Sequence, residues 1–205
     1  MIFTERMNEA VKLASHLHRH QTRKDDYNTP YVSHLFSVAM ILATVTNDED
    51  IIIAGLMHDS LEDVPNYTYD MLVKDCNNRI ATIVHHVTEP LDANKMEDEQ
   101  LPWLTRKEKY LENLQNGGIE SAMVSAADKI HNTESFLVDT RKSGDAFLSK
   151  FSSSLRNKLW FHEQVLAIII GKLGDDHALV RRLSVCTEEF KKLCENRESG
   201  SLATL

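Results

Sequence analysis

The chain has 205 residues and a formal net charge of −8, with 42% hydrophobic and 26% charged residues. That length suits one domain, or a domain with a helical extension, and is enough to bury a core. The acid excess argues against a duplex-binding surface, and the longest apolar run, Val165 to Ile170, is far short of the ~20 residues that cross a bilayer.

Helical spacing dominates from the start. Thr4 can cap a first helix whose apolar side carries Met7, Val11, Ala14 and Leu17. Residues 22–31 read as a loop. A second helix near 32–46 carries Val38, Ile41 and Val45, and a third near 49–61 is fed by Ile51, Ile52 and Ile53. Pro65 breaks the chain. Thr68 starts a short fourth helix, and Arg79 to Val87 suggests a fifth. Residues 89–103 are polar, with Pro90 and Pro102, and read as a mobile excursion. Thr105 and Glu108 have the spacing of a capping box that opens a sixth helix, to about 115. Gly117-Gly118 separates it from a long seventh, near 119–140, and Gly144 precedes an eighth that ends near Gly171 to Gly174. A ninth covers about 176–195, and the tail from Arg197 is expected to fray.

Alternating strand patterns are nearly absent, so the predicted class is all-α, a bundle of about nine helices. Residues 1–140 are expected to form the core, with 141–205 as C-terminal helices packing on the same domain. No basic-then-apolar leader is visible, and Cys76, Cys186 and Cys194 form an odd, scattered set, which together predict a cytoplasmic protein.

The most informative string is Gly55-Leu56-Met57-His58-Asp59-Ser60-Leu61-Glu62-Asp63. A lone His-Asp pair proves little, but His34 lies upstream on the apolar stripe of Val38, Ile41 and Val45, and Asp128 lies downstream. Asp59 would share a helix face with Ile52, Gly55 and Leu56, where a carboxylate is costly unless paired or ligated. Two imidazoles and two carboxylates suit a borderline or hard divalent ion. Glu62 and Asp63, one turn on, could accept or orient a proton of an attacking water. Ser121, Ser125, Asp128, Asn132 and Ser135 recur as a polar stripe, which predicts a wet pocket along the seventh helix. The other histidines, His131 among them, are expected to be structural or exposed, with His20 the one expected to line a pocket. Arg23 and Lys24 could simply be cations at a helix C-terminus, and Arg106 and Lys107 surface charge.

Six strings together resemble the HD-domain metal-dependent phosphohydrolases, and more narrowly the hydrolase domain of the RelA/SpoT group with its stand-alone small alarmone hydrolases. They are His20-Gln21-x-Arg23-Lys24, Pro30-Tyr31-Val32-x-His34, Val38-Ala39-x-Ile41-Leu42, Met57-His58-Asp59-x-x-Glu62-Asp63, Val87-Thr88-Glu89 and Ala127-Asp128-Lys129-Ile130-His131-Asn132. The resemblance runs from about residue 5 to 138. It implies an all-α HD fold with one bound ion, typically Mn²⁺ with other divalent ions allowed, held by His34, His58, Asp59 and Asp128. It implies Glu62 and Asp63 as the catalytic pair, and Arg23, Lys24, Asn132 and Ser135 as substrate contacts. Lys107 joins them as a cation near the developing charge. The implied substrate is a small nucleotide, (p)ppGpp, losing its 3′-pyrophosphate, with no nucleic-acid or membrane partner. Leu35 stands where Pro is common, Val64 where Thr is common, and Ser135 where Thr is more usual. Such departures leave two other readings: an HD-type nucleotidase or hydrolase of another phosphorylated nucleotide, and a non-catalytic nucleotide sensor.

Overall fold

The computed structural model describes residues 4–89, 102–151 and 153–198. Within them the chain forms ten helices. In order they are α1 (Glu5–Leu17), α2 (Val32–Ala43), α3 (Glu49–Met57), α4 (Ser60–Asp63), α5 (Tyr69–Asp75), α6 (Asn78–His85), α7 (Trp103–Asn116), α8 (Ile119–Leu148), α9 (Leu155–Leu173) and α10 (Ala178–Glu198). Extended pairing among the described residues is limited to one bridge between Thr22 and Pro30. The all-α class therefore stands. No described helix is long and apolar enough to cross a membrane.

Side-chain oxygens fix several of the starts. Thr4 accepts from the Met7 N–H at 3.0 Å, Asp48 from that of Asp50 at 3.0 Å, and Asn77 from that of Ile80 at 2.8 Å. Every residue of α3 from Ile51 to Met57 is buried, as a helix apolar on all sides must be. It packs between α2, α6 and α8. Gly55 allows a close approach of α2: a Cβ there would lie 2.5 Å from Leu42 Cδ1 and 3.5 Å from Ala39 Cα. This tight α2–α3 crossing brings His34 and the end of α3 together. Helices α9 and α10 pack on each other and on α8.

Four local expectations change. The third helix stops at Met57, because Asp59 sits at φ −94°, ψ 0° and starts the separate turn α4. Helix α7 begins at Trp103 behind Pro102, so Thr105 lies inside it and caps nothing; Trp103 packs on Trp160 and Phe161. The long helix passes residue 140 and kinks at Gly144 (φ 53°, ψ −128°), with the next helix starting only at Leu155. Arg197 is helical and pairs with Asp145, and the rest of the tail expected to fray, 199–205, lies outside the described residues. The expected excursion at 89–103 falls largely on residues 90–101, outside the described residues.

Candidate metal centre and its cavity

Three segments converge on one buried point. His34 comes from the first turn of α2, His58 and Asp59 from the α3–α4 junction, and Asp128 from the middle of α8. His34 Nε2 lies 3.3 Å from His58 Nε2 and 3.2 Å from Asp128 Oδ1. His58 Nε2 lies 3.1 Å from Asp59 Oδ2 and 3.5 Å from Asp128 Oδ1. One donor atom each from His34, His58 and Asp59 falls within 4.8 Å of the others. Both imidazoles are at most 3% exposed.

The rings are oriented from behind. His58 Nδ1 is 2.9 Å from the Gly55 carbonyl, so it carries the proton and leaves the Nε2 lone pair facing the cluster. His34 Nδ1 is 2.7 Å from His131 Nδ1, and the tautomer with the proton on His34 Nδ1 leaves Nε2 free for the cluster. Tyr31 donates its hydroxyl to Asp59 Oδ2 at 2.7 Å, while Lys129 Nζ, at 2.6 Å, and Asn132 Nδ2 donate to Asp128.

Electrostatically the point calls for a cation. Burial opposes a charged His58, yet Asp59 and Asp128 outweigh it and hold the imidazole well above its usual pKa. Burial likewise opposes ionisation of Asp128, and Lys129, His34 and His58 overcome it, holding the carboxyl well below the usual range. Asp59 is lowered for the same reason, with His58 the main charge overcoming its burial. A proton on buried imidazole thus stands where a divalent ion would satisfy two lone pairs and two carboxylates together. The donor set fits a borderline or hard divalent ion.

Glu62 and Asp63 follow on α4. Burial first, then the Asp59 charge, pushes Glu62 up to about 7 and Asp63 up to about 6. The Glu89 N–H donates to Glu62 Oε2 at 3.1 Å, and Gln21 Nε2 donates to the Asp63 carbonyl at 2.6 Å. Glu89 also ties down Arg106, at 3.2 Å, and Lys107. Burial, then Lys129, pushes Lys107 down to about 8.

Beside the cluster opens a cavity of about 740 Å³. Arg23, Lys24, Lys107, Asn132 and Ser135 all line it. Arg23 donates to Asn132 Oδ1 at 3.0 Å and lies 5.6 Å from the Tyr31 ring centroid. The predicted polar stripe on α8 divides in two. Ser121 and Ser125 are buried in dry core, bonded to the Ile83 carbonyl at 3.3 Å and to Tyr110 at 2.8 Å, while Asn132 and Ser135 reach the cavity.

Two histidines depart from expectation. His20 is exposed and does not line the cavity; one helix end earlier, His18 is buried and stacks on Tyr31 at 5.5 Å. His131 lines the cavity and orients His34, a role invisible along the chain because its partner is 97 residues away. Burial, with His34 and Arg23, pushes His131 down to about 4, so it is neutral at neutral pH and can accept from His34. His131→Phe should weaken Mn²⁺ binding by roughly 10–100-fold in a chelator competition, the usual effect of losing a ligand's orienting partner. Unchanged affinity would remove His131 from the support of His34.

Residues 10–147 match the HD domain family model. Over 126 residues the chain is 34% identical to mouse guanosine-3′,5′-bis(diphosphate) 3′-pyrophosphohydrolase MESH1 and 33% identical to the human protein of that name. Those matches take in 60% of this chain and only 65% of each relative's length. Over 203 residues it is 28% identical to the bifunctional (p)ppGpp synthase/hydrolase SpoT of Escherichia coli, covering 95% of this chain and 27% of that one. A solved metazoan ortholog of SpoT, reported to hydrolyze ppGpp, superposes with a TM-score of 0.69 at 23% identity, over 98% of this chain and 99% of that one. The Listeria monocytogenes protein lmo0812 gives 0.64 at 22% identity, over 78% of this chain and 97% of that one. These two likenesses show the fold, and the family model shows more: the chain belongs to the HD domain family.

Proposed function

We propose that this chain is a metal-dependent phosphohydrolase, using Mn²⁺ in the cytoplasm, that removes the 3′-pyrophosphate from (p)ppGpp to leave GDP or GTP. The observation that carries the reading is the joining of two features in one place: a buried His34–His58–Asp59–Asp128 cluster and a cation-lined cavity of about 740 Å³. The MESH1 and SpoT relatives are named for this chemistry, which supports its extension to this chain.

His34, His58, Asp59 and Asp128 would hold the ion. A divalent ion there supplies positive charge to a phosphate oxygen and acidifies water. Glu62, raised to about 7, is poised to take a water proton near neutral pH, with Asp63 beside it as the second carboxylate. Lys107 and Lys129, both beside Phe161 in the cavity wall, offset charge that builds on the phosphate oxygens. Arg23, Lys24, Asn132 and Ser135 orient the nucleotide along the cavity.

A substrate panel with Mn²⁺-loaded protein tests the reading. It predicts pyrophosphate release from ppGpp with GDP as the other product. Cleavage of nucleoside monophosphates with ppGpp left intact would make the chain a nucleotidase. Binding without turnover of any phosphate compound would make it a sensor.

A further inference from the structure

The cationic wall of the cavity continues past the metal cluster onto residues from the C-terminal part of the chain. Two aromatic rings each carry two ammonium groups. Lys107 Nζ and Lys129 Nζ lie 4.8 and 5.5 Å from the Phe161 ring centroid. Lys24 Nζ and Lys158 Nζ lie 5.4 and 4.7 Å from that of Phe151. All six residues line the same cavity.

The first pair is neutralised, Lys129 by Asp128 and Lys107 by Glu89. The second pair is not: among the described residues neither Lys24 nor Lys158 has a carboxylate oxygen within 4.0 Å. Acids in the cavity wall are engaged elsewhere. Asp25 accepts from the N–H groups of Tyr27 and Thr29 at 3.1 and 3.0 Å, and Glu134 is gripped by Arg182 at 2.8 and 2.7 Å. Asp139, the remaining acid of the wall, has no ion pair with either ammonium within 4.0 Å among the described residues. Two cations sharing one ring repel each other, and an anion between them relieves that repulsion with charge-assisted hydrogen bonds. Burial, and then Lys24, already disfavour the charged form of Lys158.

One cavity wall runs from Lys158 to Asn132 and Lys129, which both bond Asp128. Lys158 lies about 6 Å, one turn along α9, from His162. His162 Nδ1 is 3.3 Å from Thr133 Oγ1, next to Asn132, which holds Asp128. We infer that Lys158, together with Lys24, forms a second anion subsite that binds the phosphate at the far end of a bis-phosphorylated nucleotide. This rests on the hydrolase reading for the phosphate at the cluster, and specifies a substrate phosphorylated at two positions. It also gives α9 a part in substrate selection.

Titration calorimetry in Mn²⁺ buffer with guanosine 3′,5′-bisphosphate and guanosine 3′-phosphate tests it. Wild type should bind the bisphosphate about tenfold more tightly, as expected for one added charge-assisted contact. Lys158→Met keeps the aliphatic stem over Phe151 and drops the charge. It should cut that preference below twofold while the affinity for the 3′-phosphate moves less than twofold, and Lys158→Arg should restore the preference. A wild type without preference, a Lys158→Met variant that keeps it, or equal weakening of both ligands would overturn the subsite. Preference present but no turnover of (p)ppGpp would instead overturn the hydrolase reading and leave the subsite standing.

Discussion

Asp128→Ala is expected to abolish Mn²⁺ binding and turnover together, with affinity falling by more than the roughly 100-fold that marks loss of an orienting partner alone. Asp128 supplies one of two carboxylates facing the buried imidazoles, at 3.2 and 3.5 Å from their Nε2 atoms. It also holds the Lys129 ammonium at 2.6 Å. Burial disfavours that ammonium, and Asp128 more than compensates, raising its pKa. Removing the carboxylate therefore takes away one anionic ligand and leaves the Lys129 ammonium facing the ion uncompensated. It also leaves a buried charge unpaired, a loss of ~3–5 kcal/mol. His58→Ala should lose metal equally but unfold less readily, because it leaves the Asp128–Lys129 pair intact. Elemental analysis and thermal melts of both variants separate the two effects. Full metal occupancy in either one would contradict the ligand assignment.

Glu62→Gln should do the opposite: metal retained, turnover reduced by roughly 10²–10⁴-fold, the usual contribution of a positioned general base. Glutamine keeps the oxygen that accepts the Glu89 N–H but cannot take a proton. The pH profile gives a second readout. A carboxylate acts as base only when ionised, so wild-type turnover should rise with pH through the Glu62 pKa. That value is about 7 with only the Asp59 and Asp63 charges and burial acting against ionisation. A dication beside Asp59 favours the ionised form, which places the rising limb below 7 in the loaded enzyme. Glu62→Gln should lose this limb. Activity and limb both retained would move the proton-accepting role to Asp63.

The proposed ligand set was legible because each member sits in a short local string: His34 behind Pro30-Tyr31, His58-Asp59 at the end of an apolar run, Asp128 in a helix with a polar stripe. Helical periodicity alone located most elements, since α1, α2 and α6 begin at side-chain caps or after a loop and bury one regular face. What escaped was set across the chain rather than along it. Nothing between Ile51 and Asp63 breaks a helix by residue type; the break at His58-Asp59 comes with the ring turning back to the Gly55 carbonyl and Tyr31 drawing on Asp59. His131 looked structural because its role depends on a partner on α2. His20 looked like a cavity residue because it adjoins the Arg23-Lys24 string, yet α1 ends at Leu17 and turns His18 inward instead. Phe151, Lys158 and Phe161 carried no motif; the turn after α8 brings Phe151 to the cavity, and the packing of α9 on α7 and α8 brings Lys158 and Phe161.

An anomalous difference map at the manganese edge, from crystals grown with Mn²⁺, tests the convergence most directly. One strong peak is expected within coordination reach of His34 Nε2, His58 Nε2 and the carboxylates of Asp59 and Asp128. A peak held by other residues, or none while (p)ppGpp is still cleaved, would contradict it.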